Sequence, residues 1–170
     1  MNNNAESWNQ RNVVSFFDNH RITSSDVYPS EWFFLKDNLH EDISILDIGC
    51  AQAGFAGIIA EQLSKFSYTG VDISKEMINK ASAKYPQHLF HHVNEGDYSV
   101  ISGEYDMTLV LGILHLHETW KETIKMAWKH TKSALILDLR ETFEGTIEDK
   151  TRSYFTMDIN GKNDGYSEVL

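Results

Sequence analysis

ISILDIGCAQAGFAG, residues 43–57, is the stretch that decides the fold. An apolar run leads into an acidic residue, a glycine and a series of small residues that precede a helix. The apolar positions predict a buried parallel strand; they are Ile43, Ile45, Leu46 and Ile48. The small residues let the backbone pass close to a ligand at the N-terminus of the helix; they are Gly49, Ala51, Ala53 and Gly54. The stretch therefore predicts a loop that binds a nucleotide cofactor.

Strands and helices alternate along the rest of the chain. The predicted strands are 43–48, 67–72, 88–93, 105–111 and 133–139, and the predicted helices are 53–64, 75–84 and 118–130. Two further helices, over 5–19 and 30–39, are predicted to precede the first strand. Helix-length connections imply right-handed crossovers. We therefore expect an α/β fold, a doubly wound, mostly parallel sheet with helices on both faces and ligands beyond the carboxyl ends of its strands.

The end of the chain has a different pattern. Residues 153–159 and 166–170 flank NGKNDG, which favours a hairpin that either completes the sheet or belongs to an insertion. Because the chain stops on Val169 and Leu170, both apolar, we expect it to be truncated. We expect one domain over 1–170, with leading helices in 1–40, a cofactor-binding core in 41–140 and a substrate-side tail in 141–170.

Composition bears on partners and location. A formal charge of −10 opposes binding to nucleic acid or to an anionic membrane surface. Cys50 is the only cysteine, which excludes an intramolecular disulfide and favours a reducing compartment. No apolar run approaches the roughly 20 residues that span a bilayer. We expect a soluble, cytoplasmic protein.

Acidic residues lie at or just beyond the ends of three of the predicted strands, where one edge of the sheet would collect them. Asp47 precedes the glycine loop, Asp72 ends YTGVD, and Asp97 with Tyr98 follows the third strand. A carboxylate at Asp72 suits ribose hydroxyls, and an acid beside an aromatic ring suits an adenine edge. Each also has a purely structural interpretation: Asp47 could fix its own loop, Asp72 could serve a turn, and Asp97 could form an Asx turn.

Four segments together resemble the motifs of the class I S-adenosylmethionine-dependent methyltransferases, over roughly residues 40–140. They are LDIGCAQAG, VDISKEMINKA, EGDY and YDMTLVLGILHLHE. The resemblance implies a Rossmann-like fold, S-adenosylmethionine as cofactor and S-adenosylhomocysteine as product. It implies that Asp47 and Gly49 face the methionine moiety, Asp72 the ribose, Asp97 and Tyr98 the adenine, and residues 112–114 the sulfonium. The cofactor-binding residues expected on this basis are Asp47, Gly49, Cys50, Ala51, Gly54, Asp72, Ile73, Gly96, Asp97, Tyr98, Leu111, Gly112 and Ile113.

Two features depart from the family pattern. Ala51 and Ala53 stand where the family often has glycine, and alanine is strained at positive φ. We therefore expect the loop to follow a different path or to use Gly54 instead. The family's sheet also ends in an antiparallel pair, so either 153–170 is a compressed form of that pair or a segment beyond this chain supplies it.

Histidines at the end of the fourth strand are candidates for acid–base chemistry. Methyl transfer from a sulfonium is an in-line displacement that depends mainly on orientation. His115 is the candidate general base for a hydroxyl acceptor, although it could instead pack over the cofactor or cap the helix. His117 and Glu118 complete an H-x-H-E pattern, but no third ligand is evident, so we expect no metal site.

Three functions remain open from the sequence. The first is a methyltransferase that acts on a small molecule, with oxygen favoured as the acceptor atom because of the strand-end histidines. The second is a non-catalytic S-adenosylmethionine-binding module of a larger protein. The third is an NAD-dependent oxidoreductase, since GCAQAG can be read as G-x-A-x-x-G with Asp72 further along the chain.

Overall fold

Five parallel strands form the centre of the molecule. The structure, a computed structural model, describes residues 4–140, 143, 154–156 and 167–169. The strands are β1 (Ser44–Ile48), β2 (Ser67–Asp72), β3 (Leu89–His92), β4 (Tyr105–Val110) and β5 (Thr131–Leu137), in the order β3-β2-β1-β4-β5. All four neighbouring pairs are parallel. The predicted parallel sheet is confirmed, although β5 begins and ends two residues earlier than expected.

Helices precede the sheet and connect its strands. They are α1 (Asn4–Trp8), α2 (Arg11–Phe16), α3 (Pro29–Lys36), α4 (Gly54–Ala60), α5 (Lys75–Lys84) and α6 (Trp120–Lys129). Helix α4 ends four residues before the predicted limit, and α6 begins two residues after it. Helix α5 has the predicted bounds, and its N-cap Ser74 accepts a hydrogen bond from the Met77 amide at 3.3 Å.

The single helix expected over 5–19 is wrong, because the chain breaks at Asn9. The Asn9 side-chain oxygen accepts hydrogen bonds from the Ser74 hydroxyl at 2.8 Å and from the Glu76 amide at 3.2 Å. Asn9 thus binds the first turn of α5, whose amides have no partner within their own helix. This tertiary contact holds Asn9 between two short helices.

The sheet separates two apolar clusters. Ile43 and Ile45 belong to one cluster, with Leu35 of α3 and Phe55 of α4. Leu46 and Ile48 belong to the other, which includes Ala127 of α6. Side chains alternate between the two faces of a strand, so the acidic side chain of Asp47 shares the face of Ile45.

The tail forms its own small sheet. Strands β6 (Tyr154–Thr156) and β7 (Ser167–Val169) pair antiparallel, so the predicted hairpin pairing is present. This pair is separate from the five-stranded sheet and does not complete it. Among the described helices, none combines the length and the apolar character that crossing a membrane requires.

Candidate functional site

The loops after β1 and β4 meet at the carboxyl edge of the sheet. These two strands are neighbours, and the chain winds outward from them in opposite directions, to β2 and β3 on one side and to β5 on the other. Open α/β sheets bind ligands at this reversal of strand order. Gly49 lies against Ile113, because a Cβ placed on Gly49 would be 2.5 Å from the Ile113 Cγ2 atom. The predicted first and fourth motifs are therefore in contact.

The loop from residue 49 to 53 has three residues in the left-handed region. Gly49 has a φ of 80°, Ala51 of 46° and Ala53 of 59°. The expectation of a different path, or of a turn at Gly54, is wrong: both alanines adopt the strained conformation. Gly54 instead opens α4, and a Cβ there would come within 2.5 Å of the Arg21 carbonyl oxygen. Because Gly54 has no side chain, the backbone at Arg21 can pack against the start of α4.

Hydrogen bonds from the loop amides to acceptors on β2 hold this loop in its strained path. The amides of Gly49 and Cys50 both donate to the Val71 carbonyl, at 2.8 and 3.1 Å. The Ala51 amide donates to Asp72 Oδ2 at 2.8 Å, and the Ser74 amide donates to Asp72 Oδ1 at 2.8 Å. Each carboxylate oxygen has a second lone pair, so Asp72 fixes the loop and still has capacity to accept two ribose hydroxyls. Burial raises the pKa of its carboxyl group above the ordinary value.

Asp47 lies almost fully inside the protein, with 2% of its surface exposed. The Tyr68 hydroxyl donates a hydrogen bond to Asp47 Oδ2. Burial raises the pKa of Asp47 to about 6, while the Tyr68 hydrogen bond and the charge of Arg21 act in the opposite direction. The charge of Asp72 adds to the rise. A cationic ligand group beside Asp47 would relieve this penalty.

Arg21 is a site residue that sequence reasoning missed. Its guanidinium carbon lies 5.0 Å from the centre of the Phe55 ring, and its Nη2 atom is 3.6 Å from Glu31 Oε1. A Cβ placed on Gly112 would be 3.6 Å from the same Nη2 atom. The cation therefore lies above the β1 loop and beside the β4 loop. No local signal marked Arg21, because its importance comes from contacts with distant segments.

Glu31 is the buried counter-ion of Arg21. It is 8% exposed, and its Oε2 atom is buried with no hydrogen-bond partner among the described residues. Burial raises the pKa of Glu31, the charge of Asp138 adds to the rise, and Arg21 opposes it. At 3.6 Å the Arg21–Glu31 contact is longer than a hydrogen bond, which leaves guanidinium donors available to a ligand carboxylate.

The segment after β3, which carries Asp97 and Tyr98, is held differently from Asp47 and Asp72. Asp97 is exposed, and its Oδ1 atom accepts a hydrogen bond from the Ser99 amide at 3.1 Å. This is the Asx turn that was the structural alternative. Hydrogen bonds from the side chain and the amide of Ser99 lower the pKa of Asp97. The Tyr98 hydroxyl lies 3.1 Å from the Thr123 hydroxyl of α6. Gly96 has a φ of 75° and faces Thr119. The adenine role of Asp97 stays a prediction.

His115 lies half-buried on the β4 loop. Burial lowers its pKa to about 4, and the charges of Arg140 and His117 contribute, while Asp138 opposes them. Asp138 Oδ1 accepts a hydrogen bond from the Gly112 amide at 2.6 Å, which joins the end of β5 to this loop. The His115 imidazole is therefore neutral at pH 7. A pKa of about 4 is far below the value near 7 that suits a general base.

The remaining predicted residues pack their side chains against the interior of the protein. Cys50 is buried, and its sulfur faces Gly70 of β2, 2.7 Å from a Cβ placed there. Leu111 is buried in the cluster beneath α3 and α4, and Ile73 packs against the opposite cluster. In the described part of the chain, no three His, Cys, Asp or Glu side chains are grouped so as to hold a metal ion.

Comparisons with known proteins agree with the fold and identify the family. The sequence profile of a family described as "Methyltransferase domain" matches residues 46–134. The plantazolicin methyltransferase BpumL, solved with a desmethylPZN analog and SAH, is 21% identical, with a TM-score of 0.59 over 79% of this chain and 56% of that chain. Magnesium protoporphyrin IX methyltransferase from Synechocystis PCC 6803, solved with SAM, is 20% identical, with a TM-score of 0.52 over 64% of this chain and 54% of that one.

This chain therefore spans about half the length of the solved structures that it matches. No curated protein matches the sequence significantly.

Proposed function

The chain belongs to the methyltransferase domain family, and from this premise we propose that it binds S-adenosylmethionine and transfers the methyl group to a small-molecule acceptor. The family match and the five-stranded parallel sheet confirm the resemblance to the class I enzymes in family and fold. They favour this function over a nicotinamide oxidoreductase. S-adenosylhomocysteine is the product of the proposed reaction.

The observation that carries the proposal is a pair of acids on either side of the strained loop, of which Asp47 is buried and Asp72 is partly buried. Asp72 accepts a hydrogen bond from the Ala51 amide of this loop, and Asp47 lies on the strand that leads into the loop. S-adenosylmethionine brings a sulfonium and an ammonium group, and both are cations. We assign the ribose hydroxyls to Asp72 and the ammonium group to Asp47, where a cation would offset the cost of the buried carboxylate.

Three further groups complete the proposed cofactor site. The Arg21 guanidinium, with donors left over from its long contact to Glu31, suits the cofactor carboxylate. Gly112 and Ile113 lie beside Arg21 and Gly49 respectively, and they would face the sulfonium. The cofactor would thus extend from Arg21 across the β1 loop toward the segment 96–98.

The chemistry needs little beyond orientation. The acceptor atom attacks the methyl carbon in line with the bond to sulfur, and that bond breaks as the new one forms. Holding the two groups in this geometry can supply effective molarities on the order of 10⁵ M or more. A hydroxyl acceptor also has to lose a proton, and His115 of the β4 loop, neutral but weakly basic, is the candidate base. The preference for oxygen rests on the strand-end histidines, of which His115 is the candidate base.

A second candidate function is a non-catalytic cofactor-binding module. The observation that favours it is the coverage, since the chain spans about half the length of the matched methyltransferases. Tight cofactor binding without methylation of any acceptor would support this candidate.

The test is calorimetric binding of S-adenosylmethionine, S-adenosylhomocysteine and NAD to the purified chain. We expect micromolar binding of both adenosyl ligands and none of NAD. Asp72→Asn should abolish that binding, whereas Asp37→Asn, an exposed change at the end of α3, should leave it intact. Binding of NAD alone would refute the proposal. Methylation assays with a set of small-molecule acceptors then distinguish a methyltransferase from a non-catalytic cofactor-binding module.

A further inference from the structure

The end of β5 lies against the β4 loop, on the side of the sheet opposite β2 and β3. The Gly112 amide donates to Asp138 Oδ1 at 2.6 Å, and the Asp138 amide donates to the Val110 carbonyl at 3.4 Å. Asp138 is partly buried, whereas Arg140, two residues further along, is exposed. Since the proposed cofactor extends over the β1 loop toward the segment after β3, the end of β5 borders the space left for the acceptor.

Arg140 supplies an accessible positive charge at this border. The cations that form ion pairs among the described residues do not include it; they are Arg21, Lys65, Lys80 and Lys132. Arg21, the other arginine beside the β4 loop, has Glu31 as its counter-ion and is assigned to the cofactor carboxylate. The described contacts and the proposed cofactor therefore give Arg140 no role.

Arg140 also acts on the candidate base. Burial is the largest cause of the low pKa of half-buried His115; the charges of Arg140 and His117 lower this pKa further, while Asp138 opposes them. When His115 takes up a proton beside Arg140, two cations come close together, which costs free energy. An anion bound to Arg140 would reduce that cost.

We propose that the methyl acceptor is a hydroxy acid, whose carboxylate binds the Arg140 guanidinium while its hydroxyl group faces His115. This inference rests on the proposed function and names the chemical class of its acceptor. An arginine can bind a carboxylate through two parallel hydrogen bonds, which fix the orientation of the bound group as well as its position. Because Arg140 is exposed, a ligand can reach it from solvent.

The carboxylate and the base act together in this transfer. The hydroxyl oxygen attacks the methyl carbon, a bond forms between oxygen and carbon, and the bond from carbon to sulfur breaks with its electron pair going to sulfur. The hydroxyl proton passes to the His115 imidazole, which becomes positive. The acceptor carboxylate then offsets the charge of Arg140 beside it. The amide of the same acid leaves the two cations uncompensated, so the site selects against it.

The test follows the binding of acetate, a minimal carboxylate, to the chain saturated with S-adenosylhomocysteine. With this ligand bound, its own carboxylate occupies Arg21 and leaves Arg140 for acetate. Proton NMR of the His115 ring, assigned with His115→Gln, measures the pKa with and without acetate at constant ionic strength. Acetamide is the uncharged control ligand. Arg140→Gln removes the cation, and Arg11→Gln, an exposed arginine of α2, is the matched control.

We expect acetate, and not acetamide, to raise the pKa of His115 in the wild type and in Arg11→Gln. In Arg140→Gln this pKa should already be higher without acetate, because the neighbouring cation is gone. Acetate should bind Arg140→Gln about 10-fold more weakly or worse, as for the loss of a charge-assisted pair. S-adenosylhomocysteine should bind the wild type and both variants equally.

Methylation assays then compare 3-hydroxybutyrate, 3-hydroxybenzoate and 4-hydroxybenzoate with their amides. Any of these acids that is methylated should exceed its amide by about 10-fold or more in kcat/KM, and Arg140→Gln should remove the preference.

Three results would overturn the inference. They are the absence of an acetate effect in the wild type, an acetate effect that persists in Arg140→Gln, and methylation of an amide in preference to its acid. A wild-type chain that binds no S-adenosylhomocysteine would instead overturn the proposed function, and this inference with it.

Discussion

Replacing Asp47 with asparagine should stabilise the free protein and impair cofactor binding at the same time. The pKa of Asp47 is about 6 in the folded protein, against an ordinary value of 3.8. The folded state therefore binds this proton more tightly than the unfolded state does. Ionising Asp47 costs stability as the pH rises from about 4 to about 6, and the full cost is present above that range.

The size of this cost follows from the two pKa values. A difference of about two pH units at 1.36 kcal/mol per unit gives about 3 kcal/mol near pH 7.5, falling to about 1 kcal/mol near pH 4.5. Asparagine has no charge to desolvate, has almost the same volume, and keeps an oxygen that can accept the Tyr68 hydroxyl. Asp47→Asn should therefore raise the free energy of unfolding by up to about 3 kcal/mol at pH 7.5.

The assay is urea denaturation of both proteins, without cofactor, at several pH values between 4.5 and 8. The gain in Asp47→Asn should shrink as the pH falls. Asp37→Asn, an exposed control, should stay within about 0.5 kcal/mol of the wild type throughout. An Asp47→Asn protein that is no more stable than the wild type at pH 7.5, or whose gain does not depend on pH, would refute the reasoning.

The same substitution should weaken the binding of S-adenosylmethionine, because the proposed partner of the ammonium group is lost. Calorimetry at pH 7.5 measures this loss, and 5′-methylthioadenosine, which lacks the amino acid, should bind both proteins equally. If Asp47→Asn is more stable but binds the cofactor more weakly, the buried charge of Asp47 serves cofactor binding and not stability. Equal weakening of both ligands would contradict that role.

Further predictions concern the same site. Affinity for S-adenosylmethionine should fall by about tenfold per pH unit below about 6, as Asp47 takes up its proton, and Asp47→Asn should show a flat profile over the same calorimetric titration. Tyr68→Phe removes a hydrogen bond that lowers the pKa of Asp47, so the weakening should begin at a higher pH; an unchanged profile would contradict the contact. Arg21→Leu should weaken the binding of S-adenosylhomocysteine by about 10-fold or more and leave the binding of 5′-methylthioadenosine, which has no carboxylate, unchanged. Ala51→Gly should raise the free energy of unfolding by about 0.5–1 kcal/mol by relieving its positive φ, whereas Ala83→Gly on the exposed face of α5 should lower it by about 1 kcal/mol.

Local sequence was sufficient for the five strands of the sheet and for the helices that connect them. The apolar run that ends at Ile48 identifies a buried strand, and the small residues after it identify the loop, because both signals depend only on neighbours in the chain. Ser74 marks the start of α5 for the same reason. Asp47 and Asp72 could be placed at the site because parallel strands collect their carboxyl ends at one edge.

Tertiary structure decided which groups meet at that edge. Tyr68 contacts Asp47 from 21 residues away, and Ala51 reaches Asp72 across the same separation. The second contact, with the hydrogen bonds to Val71, holds Ala51 at a positive φ that its own preference opposes. Arg21, on the leading segment, acts on Asp47 only after the chain has folded over the sheet. Spacing along a chain carries local preferences, whereas buried charge, strain and unpaired polar atoms arise only when distant segments pack together.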